Sequence, residues 1–247
     1  DEHYILEMGL VGDIKAGLNG IAELASPRTG SYNNELRSTI VNELNEHATD
    51  MAFPVKPQKI ICDLRAVLAP EDIVISDVGA HKMWMARMYQ AEHPNTCIIS
   101  NGFASMGIGV PGAIAAKLVY PERVALTVTG DAGFMMNSQE IETALRMNIA
   151  LIILIWNDSE YGLIRWHQMK KMGRPSHIEF NNPDFVKYAE SFGAKGYRVA
   201  KTEQLKPTLK QAIADNTVVI IDCPVDYSEN MKLTEELSRL TSGLSME

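Results

Sequence analysis

Two aspartates stand directly behind apolar runs that read as buried strands. Asp131 follows residues 123–129 within Gly130-Asp131-Ala132-Gly133-Phe134, and Asp158 follows residues 150–156 within Asn157-Asp158-Ser159-Glu160-Tyr161-Gly162. A turn of small residues lets backbone N–H groups approach a phosphate closely, yet an aspartate in that turn repels a bare phosphate. A divalent cation held between carboxylate and phosphate oxygens removes the conflict, because it is a hard ion that takes oxygen ligands. If the two strands are parallel neighbours, the two carboxylates lie side by side at one sheet edge and repel unless a cation joins them. A lone Gly-Asp after a strand is ordinarily just a turn. The pair, each ending a strong apolar strand with one helix between, points to a metal–phosphate site.

The elements that must position these acids alternate regularly from Lys59 onward. Residues 60–68 read as a helix, 72–76 as a strand ending at Asp77-Val78-Gly79, and 84–89 as part of the following helix. Residues 96–99 read as a strand and 105–118 as a small-residue helix with Gly107, Gly109 and Gly112, so something packs closely against it. Strand 123–129, helix 138–147 and strand 150–156 follow. Then come a helix at 183–192 opening with an early proline, a short strand at 197–199, a helix at 203–214 and a last strand at 218–223. Apolar strands alternating with helices predict an α/β fold, a parallel sheet with helices on both faces. Ligands of such sheets bind beyond the carboxyl ends of the strands, near the topological switch point.

Ahead of this region, residues 1–25 read as a strand end and one amphipathic helix, too small to hold a core alone, and 33–50 as a polar helix. The expected division is 1–50 as a domain tail with connecting helices and 51–58, with Pro54 and Pro57, as a linker. The main domain is expected at 59–227 and a C-terminal tail at 228–247. The chain opens at Asp1 without a methionine or a basic signal region, so it is expected to be part of a longer protein.

Composition narrows the function classes. The 247 residues are 46% hydrophobic and 22% charged, an ordinary globular balance. A net charge of −8 disfavours a general nucleic-acid or anionic-membrane surface, which needs a basic footprint. No apolar run approaches the roughly 20 residues of a membrane span. Cys62, Cys97 and Cys223 are far apart in apolar stretches and read as buried reduced thiols, so the cytoplasm is the expected compartment. No GxGxxG follows the first strand, which argues against a Rossmann nucleotide enzyme.

Gly130-Asp131 followed by Asn157-Asp158 resembles the thiamine-diphosphate signature, a Gly-Asp-Gly ending near Asn-Asn. Val78-Gly79-Ala80-His81-Lys82-Met83-Trp84 is similar to the Val-Gly-Gln-His-Gln-Met-Trp segment of the acetohydroxyacid (acetolactate) synthase family. Gly102-Phe103-Ala104-Ser105-Met106-Gly107 is similar to that family's Gly-Leu-Gly-x-Met-Gly, and residues 135–141 to its Met-Asn-x-Gln-Glu-Leu. Residues 186–196 and Val225-Asp226-Tyr227 resemble the catabolic branch. The resemblance spans about 1–230 and is strongest over 72–230.

This resemblance implies the C-terminal, diphosphate-binding domain of a thiamine-diphosphate enzyme. It implies magnesium held by Asp131, Asp158 and the backbone carbonyl of Glu160. It further implies cofactor contacts at Gly79, Ala80, His81, Ser105, Gly130, Ala132, Gly133, Tyr161, Gly162 and Leu163, with Met106 supporting the bent cofactor. The implied reaction is decarboxylative condensation of pyruvate with a second 2-oxo acid. Pyruvate oxidase, another 2-oxo-acid decarboxylase, or a non-catalytic domain of this fold are the alternatives. The activating glutamate belongs to a domain outside this chain, so the chain alone is expected to be inactive and the whole protein a homodimer or tetramer. FAD stays open for the whole protein.

Three departures stand out: Ala132 for the third glycine, Asp158 for the usual asparagine, and Ala80 for a glutamine. They read as subfamily variation. His81 reads equally as a phosphate donor or a structural histidine. Trp156 and Met147 read as core. Trp166 and His167 read as substrate entrance or surface helix. Arg165, Lys170, Lys171 and Arg174 read as a solvated basic face, with attraction of a carboxylate substrate as the alternative.

Overall fold

Each strand expected in the main domain overlaps a strand of one parallel sheet. The computed structural model describes residues 7–27, 34–231 and 233, in two compact units, 1–38 and 39–247. In the first, Asp13 caps α1 (Ile14–Leu24) by accepting from the Ala16 N–H at 2.8 Å. Ile14, Leu18 and Ile21 share one helix face by their spacing, and all three are exposed. Residues 8–11 form no strand, while the rest of the expected strand end lies outside the described residues. The polar stretch expected at 33–50 is α2 (Asn34–His47), which straddles the boundary between the units.

In the second unit, α3 (Pro57–Val67), β1 (Ile73–Ser76), α4 (Ala80–Met88), β2 (Cys97–Ile99) and α5 (Gly109–Val119) come first. β3 (Ala125–Gly130), α6 (Asp131–Met136), α7 (Glu140–Arg146) and β4 (Leu151–Asn157) follow. The order closes with α8 (Gly162–Met172), α9 (Phe185–Phe192), β5 (Lys195–Arg198), a 3₁₀ turn at Thr202–Gln204, α10 (Leu205–Asp215) and β6 (Val218–Pro224). The strand order is β2-β1-β3-β4-β6-β5, all pairs parallel.

Side-chain alternation divides the core between the two faces. Leu126, Val128, Ile152, Leu154, Trp156, Val219 and Ile221 pack with Ile60, Leu64, Trp84 and Leu209, from α3, α4 and α10. Leu151, Ile153, Ile155, Val218 and Ile220 pack with Ile114, Phe134, Ile141 and Phe185, from α5, α6, α7 and α9. The two-faced α/β sheet expected from the sequence is what forms. β1 is followed by α4 on one face and β3 by α6 on the other, so the switch point lies between β1 and β3.

Several local expectations are corrected. The helix expected at 105–118 begins only at Gly109, because Ala104 and Gly107 take positive φ of 54° and 91° and turn the chain. Its glycines serve close packing within the chain: a Cβ at Gly109 would lie 2.4 Å from Thr127 Oγ1, and one at Gly112 3.1 Å from Ile75. The turn expected after β3 is instead α6. Pro183 lies ahead of α9, which Asp184 caps through the Val186 and Lys187 N–H groups.

Residues 51–58 are no free linker. Val55 is fully buried, donates to Pro224 O and accepts from the Asp226 N–H, each at 3.0 Å, and α3 already begins at Pro57. The start of the expected tail is also packed, since Trp84 Nε1 donates to the buried Asn230 Oδ1 at 2.7 Å. Met147 is exposed rather than core, because it caps the end of α7. Cys223 is buried as expected, whereas Cys62 and Cys97 are half-buried; all three are free. Among the described residues, no helix is long and apolar enough to cross a membrane.

One close approach sets the seat of α9 on the sheet. A Cβ on Gly196 in β5 would lie 2.7 Å from the Val186 backbone. Gly196→Ala therefore forces α9 off β5 and should cost about 1–3 kcal/mol, as overpacking does. Urea denaturation should show a lowered midpoint at unchanged slope. An unchanged midpoint would show that this contact does not set the packing.

Candidate functional site

Three loops at the carboxyl ends of β1, β3 and β4 face one cleft. β3 and β4 are neighbours with Gly130 opposite Trp156, so Asp131 and Asp158 leave the sheet side by side. Asp131 opens α6 and is buried. Its Oδ1 accepts from the Ala132 N–H at 2.8 Å, and its Oδ2 from the Ser159 N–H and Asn182 Nδ2, both at 2.7 Å. Ser159 reaches it because its φ of 56° turns the loop sharply behind Asp158.

Asp158 is poorly satisfied by comparison, accepting from the Glu160 N–H at 3.4 Å. Burial, then the like charge of Asp131, pushes its carboxyl up to about 8. Burial also raises Asp131, against the pull of its donors. Asp158 therefore holds the proton of the pair near neutrality when no cation is present. A cation between the two would replace that proton.

The Glu160 side chain is turned to Arg165, with oxygens 2.8 and 2.9 Å from Nη1, so any role of Glu160 at a cation falls to its carbonyl. Among the described residues, no cluster of three or more His, Cys, Asp or Glu groups could hold a metal. A cation at Asp131 and Asp158 thus needs further oxygens from the backbone or from a ligand.

The opposite wall comes from the end of β1. His81 is buried, its Nε2 has no partner, and it lines the cleft. Burial pushes it down to about 4, against the attraction of Asp77, so the imidazole is neutral. Its ring fits because Gly79 carries no side chain: a Cβ there would lie 2.6 Å from His81 Cε1. On the Asp158 side, a Cβ on Gly162 would lie 2.9 Å from Asp158 Oδ2. Gly79, Ala80, Met106, Gly130, Ala132, Tyr161 and Leu163 complete the expected residues in this cleft.

Two expected residues are not among those that line this cleft. Ser105 is exposed and is not part of the wall that Met106 joins. Gly133 faces away, where its Cβ would lie 3.1 Å from Thr129 Oγ1 and 3.3 Å from Asp77 Oδ2. The tight packing of this turn is at Gly133, and Ala132 itself borders the cleft. Trp166 is buried and borders an adjoining cavity of about 420 Å³, whereas His167 is exposed.

Sequence reasoning passed over Val78, Trp156, Ile164 and Tyr227 as cleft residues. It also passed over Asp77. This buried carboxylate accepts from the N–H groups of Val78 (2.6 Å), Gly107 (2.9 and 3.1 Å to its two oxygens) and Gly109 (3.3 Å), and from Thr129 Oγ1 (3.1 Å). It ties the Met106 loop to the ends of β1 and β3. Its place at the end of a strand was the available signal.

Residues 77–223 match the family described as "Thiamine pyrophosphate enzyme, C-terminal TPP binding domain". The chain belongs to this family. The span of the TPP-binding domain starts at Asp77 and ends on β6, taking in every strand end around the cleft. Among its relatives, the "Acetolactate synthase" of Bacillus subtilis (strain 168) is 36% identical over 96% of this chain and 42% of that protein. The "Acetolactate synthase, catabolic" of Raoultella terrigena is 35% identical over 96% and 44%. The chain thus spans less than half the length of these curated relatives. Among solved structures, the Rhodococcus jostii RHA1 thiamine diphosphate-dependent 4-hydroxybenzoylformate decarboxylase superposes with a TM-score of 0.68. It is 20% identical, covers 82% of this chain and 36% of that one, and shows the shared fold.

The acid pair gives a pH signature. Asp158 in the folded chain titrates near 8 against 3.8 for the free group, so between these values the folded state binds more protons than the unfolded state. Stability in metal-free buffer should therefore fall as pH rises through that window and level off above it. Asp158→Asn, which cannot ionise, should flatten the dependence between pH 5 and 8, as read by denaturant midpoints. Equal slopes for both proteins would remove the shifted carboxyl.

Proposed function

We propose that this chain supplies the magnesium–diphosphate half of the active site of an acetolactate-synthase-like enzyme. The whole protein would condense pyruvate with a second 2-oxo acid, releasing carbon dioxide. The observation that carries the reading is the adjacent pair of buried Asp131 and half-buried Asp158, where desolvation and then the charge of Asp131 raise Asp158 to about 8 and call for a cation. The donor set fits magnesium, which takes oxygen ligands and retains ligand phosphates and water in its shell. Asp131, Asp158 and the Glu160 carbonyl would hold it. His81 Nε2, buried and unpartnered on the same cleft, is placed to meet a phosphate oxygen. The similarity to two acetolactate synthases over 96% of the chain supports the choice of reaction class.

Thiamine diphosphate, when bound, supplies the electron sink that allows carbon dioxide to leave. The residues of this chain bind, orient and exclude water. Met106 would support the cofactor's bent form from a loop pinned by Asp77, and Trp156 and Tyr227 give the cleft an apolar floor. We infer that turnover needs the activating glutamate that the resemblance places outside this chain.

Calorimetry of the intact protein with thiamine diphosphate should show binding that depends on magnesium and is lost on chelation. Asp131→Ala should abolish it, because the variant leaves Asp158 alone at the cation. Incubation with pyruvate should yield acetolactate. Acetaldehyde or acetyl phosphate as the main product would reassign the protein to a decarboxylase or an oxidase. Binding indifferent to magnesium would overturn the site.

A further inference from the structure

We propose that Asn182 is a positioning residue that selects which oxygen of Asp131 faces the cation. The inference rests on the reading of Asp131 as a magnesium ligand and adds a part that neither motif contains. Asn182 Nδ2 points at three acceptors: Asp131 Oδ2 (2.7 Å), Asn157 Oδ1 (3.0 Å) and Ser159 Oγ (3.3 Å). Only an amino group suits that position, since the flipped amide would set an oxygen against a carboxylate.

The amide is held through its Nδ2, its own Oδ1 having no partner, and the groups around it are anchored in turn. Asn157 presents its oxygen because its own Nδ2 donates to Asp222 Oδ1 at 2.9 Å. Asp222 also accepts from Arg198 Nε at 3.0 Å, and Arg198 Nη2 donates to Asp184 Oδ1 at 2.7 Å. Asp184 is the cap of α9, two residues beyond Asn182. The loop carrying Asn182 is thereby tied to the ends of β4, β5 and β6.

The consequence falls on Asp131. Its Oδ2 carries two short hydrogen bonds, from Ser159 and Asn182, whereas its Oδ1 carries one, from Ala132. Each carboxylate oxygen offers about two lone-pair sites. Oδ2 is therefore filled by donors, and Oδ1 keeps the site that a cation takes. Without Asn182, Oδ2 keeps only the Ser159 bond, so each oxygen carries one donor and the carboxylate can offer either.

The test is a magnesium titration of the intact protein at fixed thiamine diphosphate, read by calorimetry. Asn182→Ala should raise the magnesium concentration for half-maximal binding by about 10- to 100-fold, the usual effect of losing a partner of a ligating group. Asn182→Ser, which keeps a short donor, should recover part of the loss and serves if the alanine variant does not fold. Asn181→Ala, an exposed change in the same loop, should titrate like the wild type. A melting temperature that falls in metal-free buffer with no change in magnesium requirement would reduce Asn182 to a structural brace and overturn the proposal. An equal loss in Asn181→Ala would overturn it too. A wild type that binds thiamine diphosphate without magnesium would sink the metal assignment itself, a result distinct from the other two.

Discussion

Two carboxylates at adjacent strand ends, Asp131 buried and Asp158 half-buried, are a standing electrostatic cost, and the surrounding structure is arranged around it. Asp131 is stabilised by three hydrogen bonds, while Asp158 has one long contact and is raised to about 8. A fold concerned with stability alone would place an amide or an apolar group at one of the two positions, since an unpaired buried charge is costly. Here the asymmetry leaves one fixed carboxylate and one adjustable carboxylate. That arrangement suits the proposed replacement of a proton by a cation. The second aspartate, where related motifs carry asparagine, strengthens both the repulsion without a cation and the attraction with one.

The sheet is what makes this arrangement rigid. β3 and β4 are buried on both faces, with Val128, Ile153, Leu154 and Ile155 fully enclosed, so the positions of Gly130 and Asn157 are set by packing. Fully buried side chains of this kind contribute about 1.5–3 kcal/mol each. The loops beyond the strand ends are then braced by polar groups: Asp77 holds the Met106 loop, and Asn182 and Ser159 hold Asp131. Glycines occur where the loops must come close, at Gly79 against His81 and at Gly162 against Asp158. Substituting either one displaces a group of the cleft wall.

How much of this could be read from the chain depends on the range of the interaction. Strands such as 150–156 were legible because a strand covered on both faces is a continuous apolar run. The acid pair was legible because each member follows such a run. α6 was missed because its six residues, with Gly133 inside, carry no helical periodicity. Residues 105–108 were over-read as helix although glycine disfavours one, and the positive φ of Gly107 leaves no compositional trace beyond glycine itself. Met147 was placed in the core on its apolar character, but a residue capping a helix end faces outward as readily as inward.

The braces were illegible for a different reason. Asn182 bonds a residue 51 positions away, and Asp77 bonds Gly107 across 30 positions and Thr129 across 52. Neither pairing has a local pattern, because sequence periodicity reports the faces of elements and not hydrogen bonds between their ends. Motifs therefore mark the groups that meet a ligand, whereas the groups that aim them appear only when the chain is folded. The case of Gly133 makes the same point. Read as part of a phosphate turn, it belongs to the ligand; in the fold it belongs to Asp77 and Thr129, and the alanine beside it borders the cleft. The departure from the motif at Ala132 thus falls where space exists, and the glycine that packing requires is retained at Gly133.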